Sequence, residues 1–229
     1  MTSNQNLKQK AALSAVQLIE SGMVVGLGSG STTEFAIKEL ARLLDTGALK
    51  EIIGIPSSAQ TEKLACELKI PLTTFESHRN IDLTIDGADE VDPNLNLIKG
   101  GWGALLREKI LAQASKRNII IVDESKLVDK LGTRWAVPVE VVPFAWQVEA
   151  GYITSLGAET KLRKDRQEQT FITDQRNYIL DCKFGPIQDA RQLSLQLNQR
   201  AGIIENGLFI GLATDVIVAG EAGIRHLRR

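Results

Sequence analysis

Short aliphatic runs alternate with amphipathic stretches over the first half of the chain. After an amphipathic helix expected at 7–20, residues 23–28 (MVVGLG) read as a buried strand. Residues 32–44 read as a helix, with Ser31 and Glu34 at capping-box spacing. Further strands are expected at 51–56, 72–75, 82–85 (ending at Asp86) and 118–123, and further helices at 58–68 and 104–115. Alternation of this kind predicts a mostly parallel sheet covered on both faces. The pattern changes beyond about residue 130. Residues 135–142 are Val-rich and broken by Pro138, and a helix at 144–156 follows Pro143 and stops at Gly157. Short strands at 159–163, 170–173 and 178–184 precede a helix at 189–199, and strands at 203–212 and 215–219 follow. The expected architecture is α/β: a Rossmann-like, mostly parallel domain over 1–131 plus 207–229, and a smaller α+β, ferredoxin-like domain over 132–206.

Composition narrows the function classes. The 229 residues carry 27 Lys+Arg against 28 Asp+Glu, a net charge of -1, which argues against holding nucleic acid by bulk charge. With 43% hydrophobic and 24% charged residues, the chain is ordinary for a soluble globular protein and unlike a disordered one. Two cysteines, Cys66 and Cys182, build neither a disulfide framework nor a four-ligand zinc site, and fit a reducing, cytoplasmic setting. The polar start and the shortness of aliphatic runs such as 119–122 lead to the expectation of no targeting segment and no membrane span.

In an open parallel sheet, ligands bind outside the carboxyl ends of the strands. Four segments fall there. The first, GLGSGSTT (26–33), is rich in glycine and hydroxyls and opens a helix, whose exposed amides attract an anion. It is not G-x-G-x-x-G, which fails at Ser31 and again at Thr33, nor G-x-x-x-x-G-K-[ST]; a single phosphate is favoured over a dinucleotide or a triphosphate. A plain strand–helix turn capped by Ser31 is the alternative. The second, SSAQT (57–61), is a hydroxyl-rich turn that ordinary N-capping explains. The third, DGADEVD (86–92), holds four carboxylates in seven residues, and their repulsion suits acid–base work. A divalent metal is an alternative, although the spacing is not that of an EF-hand. Asp86 and Asp89 are the better candidates; Glu90 and Asp92 are left to solvent or caps. The fourth, KGGWGALLREK (99–109), places Lys99 before Gly100, Gly101 and Gly103, which permit close approach of backbone to ligand, and Glu108 in the first turns of a helix. A surface glutamate in an R-E-K run is the alternative for Glu108. His78 and His226 lie in unpatterned polar surroundings and read as surface residues. An anion cradle, paired carboxylates, a cation and a base, with no clear nucleophile, suit proton transfer next to a carbonyl without a cofactor.

These motifs, in order GLGSGSTTEF, SSAQTEKL, DGADEVD, KGGWGALLREK and VDESKLV, resemble ribose-5-phosphate isomerase type A, and the resemblance continues through PVEVVPFAW over essentially the whole chain. It implies interconversion of ribose 5-phosphate and ribulose 5-phosphate in the pentose phosphate pathway or the Calvin cycle, with no metal or organic cofactor, by a homodimer or homotetramer whose partner is a small pentose 5-phosphate. It also implies substrate binding by Ser29, Gly30, Ser31 and Thr32, by Asp86, Gly87, Ala88 and Asp89, by Lys99, Gly100, Gly101 and Trp102, and by Lys126. Glu108 matches the proton acceptor; Asp86 or Asp89 would move protons among oxygens, and Lys99 would stabilise developing charge. Two positions depart from the family. Ser29 stands where Thr is common, and Trp102 where a small residue is common, so its indole must point away or form a wall. Competing readings are a non-catalytic sugar-phosphate sensor and a related amino-sugar-phosphate isomerase/deaminase or CoA transferase.

Overall fold

A computed structural model describes residues 3–229; Met1 and Thr2, at the start of the first expected domain, lie outside the described residues. In chain order the elements are α1 (Ser3–Val16), β1 (Val24–Leu27), α2 (Thr33–Asp45), β2 (Ile53–Pro56), α3 (Ala59–Glu67), β3 (Ile81–Asp86), β4 (Glu90–Val91), β5 (Leu97–Ile98), α4 (Leu105–Ala114), β6 (Ser115–Asp123), β7 (Val137–Val141), α5 (Trp146–Ser155), β8 (Glu159–Leu162), β9 (Tyr178–Lys183), α6 (Ala190–Asn198), β10 (Ile203–Asn206), β11 (Leu208–Phe209), β12 (Asp215–Gly220) and β13 (Gly223–Arg228). They divide into two units. The first takes the residues up to Ala88 with Arg107–Lys126 and Gly211–Arg229; the second takes Asp89–Leu106 and Leu127–Ile210.

The first unit is built on a six-stranded sheet of order β13-β12-β6-β3-β1-β2. Every neighbouring pair is parallel except β12 and β13. Parallel strands covered on both faces need continuous apolar runs, and Ile119, Ile120 and Ile121 of β6 are fully buried. Each such side chain contributes roughly 1.5–3 kcal/mol relative to exposure. In α2 the buried positions are Thr33, Ala36, Ile37, Leu40 and Ala41. That i, i+3, i+4 stripe packs with Ala11, Ala12, Ala15 and Val16 of α1 and with Val25, Leu83 and Ile217 of the sheet.

The second unit runs β7-α5-β8-β9-α6-β10, and its four strands form an antiparallel sheet of order β10-β7-β9-β8. This is the ferredoxin-like arrangement. Val137, Val139, Val141 and Leu180 of the sheet pack with Ile153 of α5 and Leu193 and Leu197 of α6. Asp189 caps α6 by accepting from the Gln192 amide. A small third sheet, β11-β5-β4, completes the unit. The expected α/β class therefore holds, with a mostly parallel sheet and a separate antiparallel one. Among the described residues no helix is long and apolar enough to cross a membrane.

Several local expectations are corrected. The capping box at Ser31 and Glu34 does not form: Thr32 is the N-cap, without a side-chain bond, and Glu34 pairs with Lys38 one turn on. Residues 72–75 make one bridge, Leu72 to Gly54, before the chain turns on the Thr74 carbonyl. Residues 170–173 likewise make only the Lys164–Thr170 bridge, because the Thr173 amide and carbonyl go to a turn with Asn177 and Arg176. Pro138 does not break its strand; it lies inside β7 opposite Asp181, and its carbonyl accepts from Gly207. The strand expected at 203–212 is split at Gly207, where the chain passes from β7 (Gly207 N–H to Pro138 O) to the sheet of β5 (Lys99 N–H to Gly207 O), so close that a Cβ would lie 2.4 Å from the Lys99 carbonyl oxygen. The two-residue strands β4 and β5 are too short to show a period, and β13 has no apolar face to show one.

Candidate active site

In the first unit the chain leaves β1 for β2 on one side and returns to β3 on the other. That reversal places a crevice outside the carboxyl ends of β1 and β3, where the loop at 28–32 and the start of the acidic motif lie. The two strand ends approach closely: a Cβ on Gly28 would lie 2.3 Å from the Asp86 carboxyl carbon, so only glycine fits. Asp86 is buried, and its Oδ1 accepts from the amides of Ser29 at 3.2 Å and Gly87 at 2.7 Å. One carboxylate thus shapes both loops. The Ser29 hydroxyl lies 2.8 Å from those of Ser57 and Ser58 and 3.1 Å from that of Thr61, and Thr61 donates onward to the Gly28 carbonyl. The 57–61 turn therefore caps α3 through Ser58, as expected, and also ties down the first loop. Gly30 has φ +108°, which opens the turn into α2.

The structure adds a cation here that the sequence reading passed over. Lys8 of α1 donates to the Ser31 hydroxyl at 2.9 Å. No local signal marked it, since 23 residues separate the pair and Lys8 sits in an ordinary polar helix face. Glu108 occupies the fourth position of α4 and is 3% exposed, so it is not the surface glutamate of a charge run. Lys126 ends a 3₁₀ turn after β6, where Asp123 accepts from the amide and hydroxyl of Ser125.

The remaining candidates belong to the second unit. Asp89 is anchored by its amide to the Ile98 carbonyl at 2.8 Å, and its Oδ2 accepts from the Gly101 amide at 2.8 Å. A Cβ on Gly101 would press on that carboxylate at 2.8 Å. Lys99 is buried, its Nζ 5.4 Å from the centre of the Phe209 ring. Gly100 and Gly103, both at positive φ, close a turn through a bond from Gly103 N–H to Gly100 O. Trp102 is 58% exposed, so it is the open position of a loop whose Gly100 and Gly103 are buried.

The acidic motif is not one solvated cluster. Glu90, expected in solvent or at a cap, is fully buried, and its two oxygens accept from the amides of Gly132, Arg134 and Trp135 at 2.6–2.8 Å. Asp92 orders its own turn by accepting from Asn94 and Asn96. Among the described residues, no three His, Cys, Asp or Glu side chains gather as metal ligands. His226 is exposed on β13, as expected. Its Nε2 lies 2.7 Å from Asp215 Oδ1, the oxygen that also accepts from Arg117 Nη2 at 2.9 Å.

Comparison with known proteins places these residues in a family. Residues 53–223 match the sequence profile described as Ribose 5-phosphate isomerase A (phosphoriboisomerase A). The chain is 60% identical over 228 residues to ribose-5-phosphate isomerase A of Desulfatibacillum aliphaticivorans, covering 100% of this chain and 99% of that one. It is 54% identical over 226 residues to the Chloroflexus aurantiacus protein of the same name, covering 99% and 95%. Among solved structures, a D-ribose-5-phosphate isomerase in complex with phospho-erythronic acid superposes with a TM-score of 0.97 at 42% identity, covering 100% of both chains.

Proposed function

Because the chain belongs to the ribose 5-phosphate isomerase A family, we propose that its interconversion of ribose 5-phosphate and ribulose 5-phosphate is carried by Glu108 as the base that moves a proton between C1 and C2. The observation that supports this assignment is the burial of a carboxyl group at the fourth position of α4, directly after the glycine loop. In the open-chain sugar the C2 proton is acidic only while the neighbouring carbonyl is polarised. Glu108 takes it, a cis-enediolate forms, and the proton returns at C1. Asp86 or Asp89 moves protons between the two oxygens, and Lys99 offsets the developing negative charge. The related enzyme was solved in complex with phospho-erythronic acid, a phosphorylated sugar acid whose carboxylate is planar and anionic as an enediolate is, which supports the same intermediate.

Substrate binding divides among the loops. Gly30, Ser31 and Thr32 present amides at the α2 N-terminus, with Lys8 adding positive charge, and suit the phosphate, while Ser29 holds the loop in shape through its amide bond to Asp86. Gly87 and Ala88 follow Asp86. Gly100, Gly101 and the Trp102 amide line the third loop, and Lys126 supplies a further cation. No cofactor enters this chemistry. The enzyme is assigned to the non-oxidative pentose phosphate pathway, and to the cytoplasm as a homodimer or homotetramer. The free thiols of Cys66 and Cys182 agree with a reducing compartment.

Steady-state kinetics with ribose 5-phosphate test the assignment. Glu108→Gln lowers kcat by at least ~10² with little change in KM, and activity persists in excess EDTA. Near-normal kcat in the variant removes Glu108 from the role. Loss of activity in EDTA with rescue by Mg²⁺ or Mn²⁺ restores the metal reading of the acidic motif.

A further inference from the structure

We propose that Arg163 is a positioning residue for this reaction, acting through the Gly100–Gly101 peptide on Asp89. The inference rests on the reading of Asp89 and the 99–102 loop given above.

Arg163 follows β8 and is fixed at both ends of its own backbone: its amide donates to Ile179 O at 2.8 Å, and its carbonyl accepts from Phe171 at 3.0 Å. Its guanidinium is clamped by Asp181, with Nε 3.0 Å from Oδ2 and Nη2 bonded to Oδ1. That leaves Nη1, which donates to Gly100 O at 2.8 Å and to Gly101 O at 3.3 Å. Arg163 is largely buried, and its Cζ lies 5.9 Å from the Phe171 ring centre. Phe171 also fills the space that a side chain at Gly103 would need, 2.4 Å from a Cβ there.

The consequence follows from peptide geometry. Gly100 C=O and Gly101 N–H belong to one planar trans unit and point in opposite directions. A cation on the oxygen therefore both orients the N–H and strengthens it as a donor. That N–H is the one bonded to Asp89 Oδ2 at 2.8 Å. The second bond, to Gly101 O, fixes the Trp102 amide in the same way. Three glycines in five residues (99–103) give this loop a wide range of backbone states. The Asp181–Arg163 pair selects one in which Asp89 and the loop amides are held for the substrate. Nothing in the local pattern marks this role: Arg163 ends the strand expected at 159–163 and stands in a run of charged residues (KLRKDR, 161–166).

The test is a double-mutant cycle in the full-chain enzyme with ribose 5-phosphate, using Arg163→Met, Asp89→Asn and the pair, with thermal unfolding of each. Arg163→Met is expected to lower kcat about 10- to 100-fold, the range of a lost bond to a charged group, and to change KM less than about threefold. Arg163→Lys, which keeps a cation and one carbonyl bond, is expected to recover part of the loss. The double variant is expected to fall no more than about threefold below Asp89→Asn alone, because both changes break one relay. Near-normal kcat for Arg163→Met, or losses that multiply in the double variant, overturns the proposal. Near-normal kcat for Asp89→Asn overturns the reading of Asp89 along with it, so the two failures are distinct. If Arg163→Met does not fold, Asp181→Asn, which leaves the guanidinium in place but loosens its clamp, is expected to show a smaller loss in kcat at similar KM; unchanged kcat there counts equally against the proposal.

Discussion

The contact between the ends of β1 and β3 gives a demanding test. In Gly28→Ala, the new methyl would lie 2.3 Å from Cγ and Oδ1 of Asp86 and 2.7 Å from its Cα. Favourable carbon–carbon contact begins at about 3.5 Å, so the strand ends must part by about 1 Å. Turning the Asp86 side chain does not relieve a clash with its own Cα. Separation strains the Gly28 N–H bond to Ile85 O and the Ser29 N–H bond to Asp86 Oδ1. Overpacking of this kind destabilises by about 1–3 kcal/mol, and a chain of this length loses roughly 2–4 °C of Tm per kcal/mol, so a fall of about 2–12 °C is expected. Activity should suffer more than stability, because a displacement of about 1 Å at a reacting group lowers the rate on the order of 10²-fold. The assay is ribulose 5-phosphate formation at saturating ribose 5-phosphate, with thermal unfolding of the same samples. A variant within threefold of the parent kcat and about 1 °C of its Tm would show that the two loops are not held by this contact.

Two further expectations concern pH. Burial acts to raise the Asp215 carboxyl, but hydrogen bonds from Arg117, Thr214 and His226 outweigh it and hold the group below its ordinary value. Its contribution is therefore complete above the unfolded carboxylate value of about 4 and is lost as pH falls through the lower folded value. Asp215→Asn should be less stable by about 1–3 kcal/mol at pH 7, with the gap closing in acid; denaturant unfolding that shows a pH-independent gap refutes this. Glu140 behaves oppositely. Burial pushes it up, further raised by Asp174 and Glu205 and only partly countered by Asn177 and Thr173. Its contribution is complete below the unfolded value and declines as pH rises through the folded one, so Glu140→Gln should gain stability relative to the parent as pH is raised from 5 to 8. An unchanged difference across that interval counts against the assignment.

The parallel half of the fold was legible because its strands are buried on both faces and its helices carry one apolar stripe. Ile119–Ile121 and the 33, 36, 37, 40, 41 stripe are such signals. What escaped was structure held by polar bonds between distant residues. Glu90 looked solvated among four acids, yet three amides some forty residues away bury it. Lys8 and Arg163 each reach a loop far along the chain, and no spacing rule joins them. The candidate loops themselves were readable from glycine and hydroxyl content at strand ends. Residue 102 was ambiguous, because a large aromatic reads equally as a pocket wall or as an outward side chain; the structure leaves it 58% exposed.

The neighbours β6 and β12 have a bearing on biogenesis. They pair in the sheet, with Ile121 beside Ile217, although the ferredoxin-like sheet is encoded between them. During translation the isoleucine-rich margin of β6 stays open until the later strand emerges, an interval of roughly 5–20 s at ordinary elongation rates. Such a margin is the kind of surface on which nascent chains stick to one another. Crowded polysomes or slow codons between the two strands would therefore lower the yield of soluble enzyme without changing a single residue of it.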